Sequence, residues 1–266
     1  METKICTLKE ATSMIPNGSV VGIGGNSNYR RPLKICLEMI HQKKRDLTLL
    51  SMTAGLSCDL LVGAGCASTI RTSYFGLEVF GFAPMFRRAA EKGIIKIIEE
   101  TETTIAAGLK ATLAQLAFLP ARALQGTDIL KVRPDIKTVL CPYTGERLSA
   151  LPAIRPDVAL IHALASDEKG NLLLGGNLSV DIELAQTAGL TIATTEKVVS
   201  HQEIVARGAD IIGLNVHKVV LAPRGAYPTS CYPEYQLDGL MFIRYIEACQ
   251  ENRFWPFVVD LNRSLE

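Results

Sequence analysis

"NGSVVGIGGNSNYRRP", Asn17 to Pro32, runs from a turn through an apolar segment into paired glycines, then polar residues, two arginines and a proline. Ser19 to Ile23 is apolar and short enough for a buried strand, and Pro32, with its fixed φ and missing N–H, suits the first turn of a helix. The stretch therefore reads as strand, glycine corner, helix. Gly24 and Gly25 let a backbone approach a ligand closely, and amides near the helix start can receive negative charge. Arg30 and Arg31 add two guanidinium groups of the kind that grip a phosphate or carboxylate. The spacing matches neither GxGxxG nor GxxxxGK[ST], the usual nucleotide loops. A plain strand–turn–helix corner with two solvated arginines fits the same residues.

Working outward, strands and helices alternate. Thr7 and Glu10 have the spacing of a capping box, opening a short helix that Pro16-Asn17-Gly18 ends. Leu33, Cys36, Leu37 and Ile40 share one face of a helix reaching about Lys43, and "DLTLLSM" to Met52 is the next strand. "TIRTSYFG" and "IIKIIE" read as strands with a helix near Ala83–Lys92 between them. "TTIAAGLKATLAQLAF", Thr103 to Phe118, has helical periodicity, with Pro120 closing it. After the Gly126-Thr127-Asp128 turn, "IKTVLC", "DVALIHA", "LTIATT" and "HKVVLAP" are strands, while "SVDIELAQTAG" and "LDGLMFIRYIEACQ" are helices. This alternation predicts an α/β fold with an open, mostly parallel sheet covered by helices on both faces. No repeat or linker divides the chain, so a single domain over 1–266 is expected.

Composition narrows the function. A formal net charge of +1 gives no overall field to recruit nucleic acid or an anionic membrane, so neither is expected as a partner. The N-terminus lacks an apolar leader and no run is long enough to span a bilayer, which points to a cytoplasmic protein. Cys6, Cys36, Cys58, Cys66, Cys141, Cys231 and Cys249 form no CxxC pair, and His41, His201 and His217 have no ligand spacing, so no metal site is expected.

The opening stretch resembles the N-terminal signature of the A-type chain of the class I coenzyme A transferases: [DN]-[GN]-x-x, three apolar residues, G-G-F, three residues, G-x-P. Asn17-Gly18 opens it, Val21-Gly22-Ile23 occupy the apolar slots, Gly24-Gly25 match, and Pro32 closes it. Gly22 interrupts the apolar run, Asn26 replaces the aromatic and Arg30 the later glycine; an arginine before this proline is similar to the glutaconate-type branch. "FLPARALQGTDIL", "PYTGERLSALPAIRPDVALIHALASDEKGN", "TTEKVV" and "VVLAPRGAYPTSCYPEYQLD" resemble further segments of the same family in the same order, covering nearly the full chain.

The resemblance implies transfer of coenzyme A from an acyl-CoA to a small carboxylic acid, with the thioester as substrate and no permanently bound cofactor. A glutamate attacks the thioester to give a mixed anhydride, then a glutamyl-CoA thioester. In two-subunit members that glutamate lies on the second, B-type chain, often within S-E-N-G, a sequence absent here. The implied partner is a B subunit of related fold in an A2B2 heterotetramer. On this chain Gly24, Gly25, Asn26 and Ser27 would form the oxyanion and substrate-shaping corner, Arg31 would anchor a carboxylate, and Thr53 and Gly55 would line the crevice.

"GLKATLAQLAFLP" is also similar to a segment of the steroid ring-opening CoA-thioester hydrolases, in which an acidic residue six before the Gly-Leu would be the base. That position is Glu102, with Glu100 two residues away and equally able to face a site. A first-turn carboxylate favoured by the helix dipole explains Glu102 without catalysis. A third reading makes the chain a non-catalytic CoA-binding partner. Among the remaining candidates, His162 reads as a structural histidine at a strand end. Glu196 reads as either a cleft carboxylate or a structural cap. "GGNLSVD", Gly175 to Asp181, is either a second anion cradle or a serine-capped turn.

Overall fold

The computed structural model describes residues 3–265. Helix α1 (Leu8–Ser13) opens with the expected capping box: Glu10 N–H donates to Thr7 Oγ1 at 3.2 Å and Thr7 N–H to Glu10 Oε2 at 2.9 Å. Then come β1 (Val20–Ile23), α2 (Leu33–His41), β2 (Leu47–Ala54), α3 (Leu56–Gly63), β3 (Ala67–Phe75), α4 (Pro84–Glu91), β4 (Lys96–Glu99) and α5 (Glu102–Leu113). A small insertion follows, with β5 (Phe118–Ala121), α6 (Ile129–Val132), β6 (Lys137–Leu140) and β7 (Arg147–Pro152) forming an antiparallel three-stranded sheet around α6. The chain returns through β8 (Val158–Ala163), the short hairpin β9 (Ala165–Ser166) and β10 (Leu172–Leu173), then α7 (Asp181–Thr187), β11 (Leu190–Thr195), α8 (His201–Arg207) and β12 (Lys218–Leu221). Helices α9 (Gly239–Gln250) and α10 (Phe254–Ser264) complete it.

The main sheet has seven strands in the order β12-β11-β8-β1-β2-β3-β4, every neighbouring pair parallel. From β1 the first half winds outward through β2, β3 and β4, and from β8 the second half winds the other way. The order therefore reverses between β1 and β8. In open parallel sheets a crevice forms beyond the strand carboxyl ends at such a point, because the loops there diverge to opposite faces. Gly24 and Gly25 leave β1 at that edge.

The alternation along β8 shows why both faces are covered. Val158 and Leu160 enter the core beneath α2, α3, α9 and α10, while Ala159, Ile161 and Ala163 face α5 and α7. Small residues on the second face let α5 and α7 lie close. Gly22 in β1 belongs to this packing, since a Cβ there would lie 2.6 Å from Leu184 Cδ2. The glycine that interrupts the apolar run of the opening stretch thus makes room for α7.

Three sequence expectations are corrected. Helix α5 stops at Leu113 rather than Phe118, and Pro120 sits inside β5 instead of closing the helix. "FLPA" alternates exposed and packed side chains on an edge strand, where a proline removes no ladder donor that is needed. "IKTVLC" joins the antiparallel insertion, not the parallel sheet. Helices α3, α8 and α10 add to the helices expected from periodicity; α10 hides behind "FWPF", whose proline falls in the first turn, the one place a helix tolerates it.

Gly108 lets α5 lie against the chain leaving β7: a Cβ would stand 2.4 Å from Ile154 Cγ1 and 2.9 Å from the Pro152 carbonyl. Gly108→Ala should therefore destabilise the fold by about 1–3 kcal/mol despite alanine's better helix propensity. A urea midpoint equal to or above wild type would show that the two segments separate freely.

Candidate functional site

The corner after β1 is built by exclusion. A Cβ on Gly24 would lie 2.5 Å from Asp181 Oδ1, and Gly25 takes φ +79° with its Cβ position 2.5 Å from the Tyr29 carbonyl. Only glycine fits either place. The following residues close a tight turn, Asn26 N–H donating to Tyr29 O at 2.9 Å and Tyr29 N–H to Asn26 O at 2.8 Å.

Four predicted site residues meet here. Thr53 Oγ1, at the end of β2, accepts Ser27 N–H at 2.9 Å and donates to Asn26 Oδ1 at 2.7 Å. Gly55 lies under the Ser27 carbonyl, 2.6 Å from where its Cβ would be. Asn26 Nδ2 donates to Asn177 Oδ1 at 2.9 Å, and Ser27 Oγ donates to Glu78 Oε1 at 2.5 Å. Asn177 and Glu78, both with positive φ, were not singled out as site residues. Asn177 lies within the Gly175–Asp181 stretch, read only as a cradle or a capped turn, and Glu78 sits in no motif.

The expected backbone oxyanion hole at Gly24, Gly25, Asn26 and Ser27 is corrected. Gly24 N–H bonds the Leu160 carbonyl, Gly25 N–H the Asp181 carboxylate at 2.8 Å, and the next two amides bond Tyr29 O and Thr53 Oγ1. All four donors are engaged inside the chain. What the corner presents outward is the side-chain rim of Asn26, Ser27, Thr53, Glu78 and Asn177.

Both arginines are corrected too. Arg30 and Arg31 are 0% exposed, so neither is a solvated side chain and Arg31 does not reach a ligand carboxylate directly. Arg30 Nη2 pairs with Asp181 Oδ2 at 3.2 Å and Nη1 donates to the His162 carbonyl at 2.8 Å. Arg31 braces the ends of β1 and β2: Nε donates to Ser57 Oγ at 3.0 Å, and Nη1 to the carbonyls of Gly25 and Thr53 and to Ser51 Oγ, each at 3.2 Å. Nη2 donates to Ser51 Oγ and to Cys58 Sγ.

The turn before α7 has no serine cap. Ser179 Oγ is buried without a partner, and Asp181 points its carboxylate at Gly25 and Arg30. Gly175 to Asp181 therefore locks the corner from the β8 side instead of offering a second anion cradle.

Behind Arg30 lies a second buried network. His162 Nδ1 bonds Thr194 Oγ1 at 2.8 Å and Nε2 bonds Glu196 Oε1 at 2.7 Å, while Tyr235 Oη donates to the same oxygen at 2.6 Å and Arg224 N–H to Oε2 at 2.6 Å. His162 is thus structural, as expected. Burial depresses its pKa against the pull of Glu196. Burial alone would raise Glu196, but hydrogen bonds from His162 and Tyr235 and the Arg224 amide hold it below its ordinary value. Cys231 brings its sulfur within 4.8 Å of the His162 and Glu196 ligand atoms, a grouping that could hold a metal ion. The neighbouring Arg30 guanidinium opposes a cation there, and His162 and Glu196 already bond each other.

The two acids at the start of α5, Glu100 just before it and Glu102 at its first position, separate cleanly. Glu100 is buried, its Oε1 2.6 Å from Arg71 Nε and 2.8 Å from Arg133 Nη1. Glu102, the first residue of α5, is exposed and carries no hydrogen bond or ion pair among the described residues. Of the two, Glu102 is the one whose carboxylate is left free to act.

The sequence matches the family profile described as Coenzyme A transferase over residues 5–222. The A-type chain of the 3-oxoadipate CoA-transferase of Pseudomonas knackmussii is 36% identical across 97% of this chain and 92% of its own length. A cholesterol ring-cleaving hydrolase subunit of Rhodococcus jostii is 29% identical across 95% of this chain and 89% of its own. Among solved structures, a variant of the decarboxylase AibA/AibB superposes with a TM-score of 0.92 at 34% identity, covering 98% of this chain and 99% of that one. The glutaconate coenzyme A-transferase of Acidaminococcus fermentans superposes with a TM-score of 0.90 at 29% identity, covering 97% and 88%.

Asp181→Asn should leave the Arg30 charge buried and unpaired, costing about 3–5 kcal/mol in urea unfolding; a loss under 1 kcal/mol would mean the pair holds nothing together. The network behind Arg30 also sets a pH dependence. His162 and Glu196 both have lowered pKa values, so below the histidine's ordinary 6.5 the unfolded chain binds protons that the folded chain refuses. Their contribution is complete above that pH and is lost as pH falls through the depressed values. The urea midpoint should drop from pH 7 to pH 5, and His162→Gln should flatten the upper part of that slope. An unchanged slope in the variant would remove His162 from this role.

Proposed function

This chain belongs to the coenzyme A transferase family, and from that premise we propose that it is the A-type half of a two-subunit enzyme moving coenzyme A from an acyl-CoA to a carboxylic acid. The observation that carries the reading is the closed corner at the reversal between β1 and β8. It supplies a fixed polar rim, with every corner amide and both arginines engaged and the rim's one carboxylate, Glu78, bonded to Ser27 Oγ. A transferase needs a carboxylate nucleophile, which then belongs to the partner.

The chemistry divides accordingly. The partner's glutamate adds to the thioester carbon, the carbonyl electron pair moves to oxygen, and collapse expels the CoA thiolate, leaving a mixed anhydride. The thiolate then attacks the glutamyl carbonyl, releasing the first carboxylate and forming the glutamyl-CoA thioester. An acceptor carboxylate reverses the sequence. This chain's part is to hold the thioester against the rim of Asn26, Ser27 and Thr53 while the partner's acid attacks. The thioester is substrate, so no resident cofactor is required.

Exposed apolar residues beside the rim support a partner there. Val79 is 91% and Phe82 74% exposed, and both follow Glu78, which touches Ser27. A partner of related fold seated on this edge would close the crevice, and two such pairs would make A2B2.

One observation favours a second reading. Glu102 is exposed and carries no hydrogen bond or ion pair among the described residues, as a ring-opening CoA-thioester hydrolase would need of a carboxylate that activates water. The two readings part on the acceptor. The tagged chain, purified with its native partner, is given acetyl-CoA or glutaryl-CoA with acetate or glutarate, and products are resolved by chromatography. Transfer to the added acid with ping-pong kinetics is expected. Glu102→Gln should leave transfer within about threefold of wild type, since a residue outside the reacting groups contributes little to the barrier. Free CoA release independent of acceptor, lost in Glu102→Gln, would replace the transferase reading with the hydrolase.

A further inference from the structure

Among the described residues the buried arginines find carboxylates, with one exception. Arg30 has Asp181 at 3.2 Å, and Arg133 has Glu100 and Asp135 at 2.8 Å each. Arg31 is 0% exposed, yet among the described residues all its partners are neutral: three carbonyl or hydroxyl groups at the crevice edge, Ser57 Oγ and Cys58 Sγ. The neighbouring thiols of Cys58 and Cys36 do not supply an anion, because burial pushes both up.

A second positive source points the same way. Ser57 and Cys58 lie in the first turn of α3, so the guanidinium sits against the amide end of that helix. A helix N-terminus favours negative charge and is an unfavourable place for a cation. Two positive sources therefore converge beneath Gly25–Ser27 and Thr53–Gly55; Asp59 of the same first turn is spent on Tyr245 and the Met85 and Phe86 amides, and Glu78 bonds Ser27 on the outer side of the corner. Leaving a charge buried and unpaired is costly, and neutral or paired alternatives are usually at least as stable.

We propose that Arg31 is a positioning residue for the thioester chemistry: its charge, bonded to no carboxylate and held against the Gly25 and Thr53 carbonyls, sets a fixed positive field behind the crevice rim where negative charge develops on the thioester oxygen. This rests on the acyl-transfer reading above. When the nucleophile's electron pair bonds to the thioester carbon, the carbonyl π pair moves to oxygen, and it returns when the C–S bond breaks and the thiolate leaves. Charge resides on that oxygen only between those events. A field set by a buried, fixed cation needs no reorganisation at that moment, and it acts on kcat more than on KM.

Two variants test this in the native complex with acetyl-CoA and glutaryl-CoA. Arg31→Met removes the charge, and Cys58→Asp keeps Arg31 but gives it a counter-ion at the N-terminus of α3. Cys58→Asp should hold or raise the urea midpoint while lowering kcat roughly tenfold or more with KM little changed. Arg31→Met should lower kcat at least as far, with Arg31→Lys partly restoring it. If Cys58→Asp keeps wild-type kcat, or if both variants lose only KM or only the fold, Arg31 is a brace and the proposal falls. A wild-type complex that turns over no thioester overturns the acyl-transfer reading along with it, whereas normal wild-type turnover with undiminished kcat in both variants overturns this proposal alone.

Discussion

Asp181 decides the shape of the corner. One carboxylate oxygen takes the Gly25 amide at 2.8 Å and the other the Arg30 guanidinium at 3.2 Å, so a single first-turn residue of α7 clamps the loop leaving β1. Arg30 in turn holds the carbonyl of His162 at the end of β8. The clamp thus joins the two strands between which the sheet order reverses. Gly24 is glycine because that carboxylate occupies the space of its side chain. Once the corner is fixed, Ser27 falls into reach of Thr53, and its carbonyl settles over Gly55. A buried ion pair of this kind adds little net stability compared with apolar packing, but it specifies one arrangement, since any other leaves a charge unpaired in the interior.

The sheet and its winding were legible because they depend on local periodicity. Apolar strands such as "DVALIHA" and helices such as "LDGLMFIRYIEACQ" announce themselves within a few residues. "TTIAAGLKATLAQLAFLP" misleads for the same reason: its later half satisfies both a helical stripe and an alternating edge strand, and only pairing with β7 chooses between them. The corner after β1 was legible as a meeting place and misread in its parts. Gly24, Gly25, Asn26, Ser27, Thr53 and Gly55 do meet, yet the amides point inward and the arginines are buried. Arginine is rarely fully buried, so "YRRP" reads as surface. What buries it, Asp181 for Arg30 and Ser51, Ser57 and Cys58 for Arg31, lies 20 or more residues away along the chain. Directions set by such distant partners leave no mark in the local sequence.

Relatives named as a transferase, a ring-cleaving hydrolase and a decarboxylase share this scaffold at 36%, 29% and 34% identity. Fold alone therefore does not choose the reaction. The structure separates what such chemistries have in common from what differs. Thioester exchange, hydrolytic carbon–carbon cleavage and decarboxylation all place transient negative charge on a carbonyl oxygen, and a fixed positive wall serves each of them. The acid or base that decides the outcome must be mobile, solvated and replaceable. Those demands fall on different residues here: Arg31 is encased behind the corner, while Glu102 is exposed and unpaired among the described residues and Glu100, two residues earlier, is locked by two arginines. A scaffold so divided can change its reaction through exposed side chains while the corner stays as it is. Altering the wall would disturb the corner from which every one of those reactions is positioned.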